Sequence, residues 1–206
     1  MQSRYIIILV LVCFVSCKLM PKHGEQEMEH KLIADDSLAV RDKLFKGMQF
    51  VPGPDSDTYR SAAAKLLLTM IFTQKDTAAF IYHLSEDSVG MFSGYSKLLA
   101  LKFSDSSVMN FYKDVIKLRS EFPTLVSGNY VLLDKDNPFT TGFERILGQD
   151  TLLVVTNMDN GVQAFSGNFH YAQLPVLLSN YDDGPLPPLE SSLAMRPYEI
   201  KIYKIR

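Results

Sequence analysis

The chain has 206 residues, a formal net charge of −2, 47% hydrophobic residues and 21% charged ones. That length allows one domain or one and a half, and the composition fits a globular protein with a sizeable core. The near-neutral charge, and the absence of a basic stripe with interleaved aromatics, exclude a nucleic-acid binder driven by counterion release.

The first element is a targeting segment. Arg4 supplies a positive charge, and Tyr5 to Val15 is apolar apart from the thiol of Cys13. The run is shorter than the roughly 20 residues a membrane span needs. Val15-Ser16-Cys17 closes it with small residues of the kind a signal peptidase reads, which predicts a cleaved secretory signal. An uncleaved anchor is the main competitor, and a lipoprotein signal acylated at Cys17 fits less well because Phe14 stands three before the cysteine. Both cysteines, Cys13 and Cys17, fall inside the segment. Cleavage after Cys17 leaves no thiol for a disulfide, a metal site or a nucleophile. No Asn-X-Ser/Thr sequon occurs, so N-glycosylation is not expected.

Lys18 to Glu29 reads as a polar leader. An amphipathic helix is predicted from about Met28 to Lys46, with Gly47 as its stop. Pro52-Gly-Pro-Asp-Ser-Asp57 is a loop. Asp57 or Thr58 caps a second helix that runs to about Thr73. That helix is apolar on most of its circumference, so it must be covered on several sides. Ala78 to Leu84 is a short buried-strand candidate, and Gly90 to Phe103 reads as a broken helix. Ser104-Asp-Ser106 caps a third helix ending near Phe122, with Val108, Phe111, Val115 and Leu118 on one face, widened by Met109, Tyr112 and Ile116. Pro123 ends it.

From Val126 the period becomes two. Strands are expected at Tyr130 to Leu133, Thr140 to Leu147, Thr151 to Thr156, Val162 to Phe165, Val176 to Ser179 and Tyr198 to Ile205. Turns fall at Asp134 to Pro138, at Gly148 to Asp150, and at Asn157 to Gly161, where Asn-Gly is a hairpin signal. Short strands at this spacing indicate an antiparallel sandwich.

Phe111-Tyr-Lys-Asp-Val-Ile-Lys-Leu-Arg-Ser-Glu-Phe-Pro-Thr-Leu125 and Ser127-Gly-Asn-Tyr130 resemble the segment joining barrel to C-terminal β-domain in α-amylase-family glycoside hydrolases of the α-glucosidase, maltase and oligo-1,6-glucosidase type. Phe143-Glu-Arg145 and Leu152-Leu-Val-Val-Thr-Asn157 resemble that domain's central strands. Leu177 to Tyr181 and Met195-Arg-Pro-Tyr-Glu199, with Ile202-Tyr203, resemble its closing segments. Tyr59 to Met70 resembles the seventh barrel helix; Ala79 to Tyr82 and Glu86 to Met91 resemble the eighth strand and the loop after it. The resemblance runs from Thr58 to Arg206 and extends to the non-catalytic heavy chains of amino-acid transporters, which share the superfamily.

It implies an α+β fold: remnant helices of a (β/α)8 barrel followed by an antiparallel C-terminal β-sandwich. Residues 1–17 are then the signal peptide, 18–57 a leader with its helix, 58–124 the partial barrel remnant and 125–206 the β-sandwich domain. Two departures from the family stand out. Ser85-Glu-Asp-Ser-Val-Gly-Met91 has Ser85 near a family glycine and is one residue longer. Nothing corresponds to barrel strands one to six, which carry most of the catalytic acids; a complete barrel takes about 250 residues.

Retaining glycoside hydrolysis needs two carboxylates about 5–5.5 Å apart. Asp55 and Asp57, in a loop that faintly echoes the family's seventh-strand end, read better as helix-capping residues. Glu86 and Asp87 read as solvated loop acids. His83 has no second metal ligand at suitable spacing, and His23 and His30 lie on the leader. Asp134-Lys-Asp-Asn137 has calcium-type residues, but a hairpin turn accounts for them. Arg119 and Arg145 are expected to form structural ion pairs near the helix–sandwich junction. No catalytic, cofactor-binding or metal residue is therefore assigned. The expected protein is secreted, truncated and non-catalytic, with carbohydrate or a protein as partner, no nucleic acid, and self-association through uncovered apolar helix faces. The alternatives are a transporter-heavy-chain-like ectodomain held by an uncleaved anchor, and a fragment of a full α-glucosidase.

Overall fold

The computed structural model describes residues 35–48, 51, 59–75, 97–101, 104–134, 136–167, 173–184, 186 and 192–206. Asp35–Arg206 forms one unit. Met1–Ala34, with the targeting segment and the leader, lies outside the described residues, as do the Pro52–Asp57 loop and the strand candidate at Ala78 to Leu84.

Helix α1 spans Ser37–Met48, α2 Arg60–Phe72, α3 Ser106–Glu121 and α4 Thr124–Ser127. The predicted first helix is corrected at both ends. Asp35 and Asp36 precede α1, and Gly47 lies inside it, buried. A Cβ on Gly47 would stand 2.0 Å from the Met158 methyl carbon, so this glycine allows close approach instead of ending the helix. Tyr59 occupies the N-cap of α2 without a side-chain bond, and Asp57 and Thr58 are not among the described residues. Residues 97–101 are helical within the stretch read as a broken helix.

The third helix follows its sequence closely. Asp105 accepts hydrogen bonds from the backbone N–H groups of Ser107 and Val108, satisfying donors that the first turn leaves open. Val108, Phe111, Val115 and Leu118 are buried. Ile116 does not widen that face; it is 41% exposed. Phe122 turns extended before Pro123, which leads into the single turn α4.

The strands are β1 Asn129–Leu132, β2 Thr140–Leu147, β3 Asp150–Asn157, β4 Gln163–Phe165, β5 Val176–Ser179, β6 Leu193–Met195 and β7 Ile200–Lys204. One sheet has the order β1-β2-β3-β7-β5 and the other pairs β4 with β6, all antiparallel. Gly148, at φ 60°, turns β2 into β3 across two residues, the arrangement that requires a glycine at the first turn position. Asn157 to Gly161 is not a hairpin turn. β3 pairs with β2 and β7, while β4 leaves for the second sheet. The last strand starts later than expected, because Tyr198 sits at φ 54° and breaks the extended chain.

The strand period sorts the core. Tyr130, Leu132, Phe143, Leu152, Val154, Ile200 and Ile202 pack with buried residues of α1, α2 and α3 on one face of the larger sheet. Leu153, Val155 and Tyr203 point the other way, onto Phe165, Leu193 and Met195 of the two-stranded sheet. Gly142 permits that second contact: a Cβ there would lie 2.1 Å from the Phe165 ring. The α2 residues Ala63, Ala64 and Leu66 to Ile71 are buried, as their apolar circumference requires.

Candidate functional site

The densest polar chemistry lies where the helices meet the sheet. Arg145, on β2, is fully buried. Its guanidinium donates to the carbonyls of Thr73, of Leu125 (3.0 Å) and of Gly128 (2.9 and 3.3 Å), and lies 4.1 Å from the centre of the Tyr130 ring. Burial draws its pKa down to about 10, against the opposing pull of Tyr130. Arg119, in the last turn of α3, donates to the carbonyls of Phe72 (2.6 Å), Gln74 (2.9 Å), Leu125 (3.0 Å) and Lys75 (3.4 Å). These arginines are structural, as expected, but the expected ion pairs are replaced by backbone carbonyls. The end of α2 and the turn α4 present several carbonyls that helices leave open, and two planar donors gather them. The Tyr130 hydroxyl accepts from Lys75 N (2.7 Å) and faces Gln74 Oε1 at 3.4 Å. Burial raises the Tyr130 pKa, with Arg145 opposing.

A second charged cluster lies at the start of β7. Buried Glu199 faces Lys201 Nζ at 2.7 Å and Arg196 Nη1 at 3.2 Å, and accepts from the Arg196 N–H at 2.7 Å. Arg196 also meets Asp183 at 3.3 Å and sits 5.2 Å from the Tyr181 ring centre. Burial, then the nearby Glu199 charge, pushes the Tyr181 hydroxyl to about 12. Asn157 donates to the carbonyls of Gly161 and Arg196, both at 2.8 Å, and pins this corner. Opposite charges meet at close range here.

The acid that opens the β1–β2 turn is also engaged. Asp134 accepts from the Thr140 hydroxyl (2.6 Å) and sits 4.0 Å from Lys43, while Asn137 Oδ1 accepts from Phe139 N (2.9 Å). The structure thus places Asp134 and Asn137 in the β1–β2 turn. Among the described residues no cluster of three or more His, Cys, Asp or Glu side chains offers a metal site. Asp55, Asp57, His83, Glu86, Asp87, His23 and His30 lie outside the described residues.

Glu144 is the acid that sequence reading passed over. It is half-buried on β2, facing away from Arg145, and burial raises its pKa while Arg206 opposes the rise. A raised carboxylate is what a general acid needs. A hydrolytic partner about 5 Å away would add like-charge repulsion; among the described residues the shift comes from burial, opposed by Arg206. Its signal in the sequence was the Phe-Glu-Arg triplet, in which alternation sends the two charges to opposite faces.

Helices on one face of an antiparallel sheet, with a strand ribbon on the other, define an α+β unit. The fold matches isomaltulose synthase of Erwinia rhapontici NX5 with a TM-score of 0.53 at 19% identity, over 75% of this chain and 40% of that one. It matches isomaltulose synthase of Klebsiella sp. LX3 equally, at 0.53, 19%, 75% and 40%. In sequence the chain is 35% identical over 103 residues to the oligo-1,6-glucosidase of Parageobacillus thermoglucosidasius, covering 49% of this chain and 18% of that protein. It is 30% identical over 109 residues to the palatinase of Erwinia rhapontici, covering 52% and 19%. No protein-family profile matches. Over the span that aligns, about half of the chain, the sequence is similar to oligo-1,6-glucosidases. It spans less than a fifth of the length of the oligo-1,6-glucosidase it matches.

Proposed function

We propose that this chain is a secreted, non-hydrolytic relative of the α-glucosidases, with a binding or assembly role supplied by its β-domain and the helices docked on it. One observation carries the reading. The described carboxylate with a raised pKa, Glu144, is shifted by burial and countered by Arg206, whereas glycoside hydrolysis requires two acids working as a pair. The buried charges at the helix–sheet junction and at the start of β7 are likewise held by backbone carbonyls or by each other. Secretion rests on the segment from Arg4 to Cys17. Among the described residues no helix is long and apolar enough to cross a membrane.

The purified full chain, incubated with isomaltose, maltose or an aryl α-glucoside, is expected to release glucose no faster than buffer. Turnover that disappears on a single Asp or Glu substitution refutes the reading.

A further inference from the structure

Asn160-Gly161 is a hairpin signal that ends in no hairpin: β3 stops at Asn157, and β4 opens at Gln163 in the other sheet. Two side chains shape the bend instead. Asn157 Oδ1 accepts from Asp159 N (3.0 Å), and Asp159 Oδ2 accepts from Gly161 N (3.3 Å), each two residues on. The Gly161 N–H is thus turned to a carboxylate and not to a strand carbonyl. A Cβ on Gly161 would stand 3.2 Å from that same Asp159 oxygen, so glycine lets the carboxylate sit close. Asn160, between the two, is exposed. It is the one asparagine of the chain that a glycine follows. Asparagine is a chemically labile residue, and glycine brings no side chain to shield the nitrogen that follows it.

We propose that Asn160 is a site of spontaneous modification, deamidating through a ring closed by Gly161 with Asp159 as the proton acceptor. Gly161 N attacks Asn160 Cγ and forms the N–Cγ bond of a cyclic imide. Its proton passes to Asp159 Oδ2. A proton returns to Asn160 Nδ2 as the Cγ–Nδ2 bond breaks and ammonia leaves. Water then opens the imide. Attack at Cγ restores the ordinary main chain and leaves aspartate. Attack at the main-chain carbonyl sends the chain through the former side chain, one methylene longer. No electron is gained or lost. Either product adds a negative charge beside Asp159. The lengthened one also moves the Gly161 carbonyl, which accepts from Asn157 Nδ2 at 2.8 Å. Asn157 keeps its bond to Arg196 O, so the change loosens one of the bonds by which it pins this corner.

The test holds the purified full chain at neutral pH and follows its digested peptides by mass spectrometry. Asn160 should be converted about tenfold faster than Asn129, Asn157 or Asn180, whose following residues all carry side chains. The lengthened product should appear beside ordinary aspartate. An Asn160 as durable as those three overturns the site. Asp159→Ser keeps a hydroxyl to accept from the Gly161 N–H and removes the carboxylate. The backbone bonds of Asp159 with Asn157 and Tyr198 do not need its side chain. Conversion should slow about tenfold in that variant, and an unchanged or faster rate overturns the proton acceptor. If Asp159→Ser does not fold, Gln163→Leu serves instead. It frees Asp159 Oδ2 from the Gln163 amide at 2.7 Å and leaves the carboxylate in place. Conversion should then quicken, and an unchanged or slower rate overturns the proton acceptor.

Discussion

Replacing Arg145 with methionine tests whether the buried guanidinium stabilises the junction or burdens it. The substitution leaves the Thr73 and Gly128 carbonyls without the donors described above, while Leu125 O keeps Arg119 at 3.0 Å. An orphaned buried acceptor costs about 1–3 kcal/mol, so two cost about 4 kcal/mol at mid-range. Loss of the stacked cation on Tyr130 adds about 1 kcal/mol. Relief runs the other way. The drop of the Arg145 pKa from 12.5 to about 10 corresponds to about 3 kcal/mol that the charged form no longer has to bear. The balance is a destabilisation of about 2 kcal/mol. Urea unfolding should report it as a lower midpoint at unchanged slope. Arg119→Met should cost less, since that arginine is only partly buried, and the two should couple through the shared Leu125 carbonyl. An Arg145→Met chain as stable as the wild type would refute the carbonyl-gathering role.

Gly142→Ala puts a methyl against the Phe165 ring and should lose about 1–3 kcal/mol; the same change in a Phe165→Leu background should cost less, measured by the same unfolding curves. Glu199→Gln removes the counter-charge of Lys201 and should cost about 3–5 kcal/mol, with part recovered in Glu199→Gln/Lys201→Met. The Asp105 carboxyl is held at about 2, first by the Ser61 hydroxyl and then by Ser107, against 3.8 when unfolded. Its contribution is therefore complete above about pH 3.8 and is lost as pH falls toward 2. Melting temperatures between pH 5 and 2 should fall less steeply for Asp105→Asn, and an identical slope would refute the assignment.

The strand half was legible where hydrophobic alternation and turn residues agreed. β2 and β5 have the predicted bounds, and the Asp105 cap of α3 was visible as a polar cluster ahead of an apolar face. β6 was missed because Leu193, Ala194 and Met195 are all buried, so no alternation marks them. Gly47 was misread because a glycine after an apolar stripe signals a helix end, and only the position of Met158 shows why this one continues the helix. The arginines were placed at the right junction with the wrong partners. A side chain's charge is written in the sequence, whereas the carbonyls that converge on it depend on how α2 and α4 end. The bond between Tyr130 N and Asp35 was invisible for the same reason, since the two residues are 95 positions apart.

The central claim is that Glu144 has no carboxylate partner among the described residues. Its carboxyl carbon signal, followed by NMR against pH, should show one titration step above the ordinary glutamate range, because burial disfavours the charged form. That step should move higher still in Arg206→Met, which removes the opposing charge. Two coupled steps, of the kind a pair of acids sharing a site produces, would contradict the account.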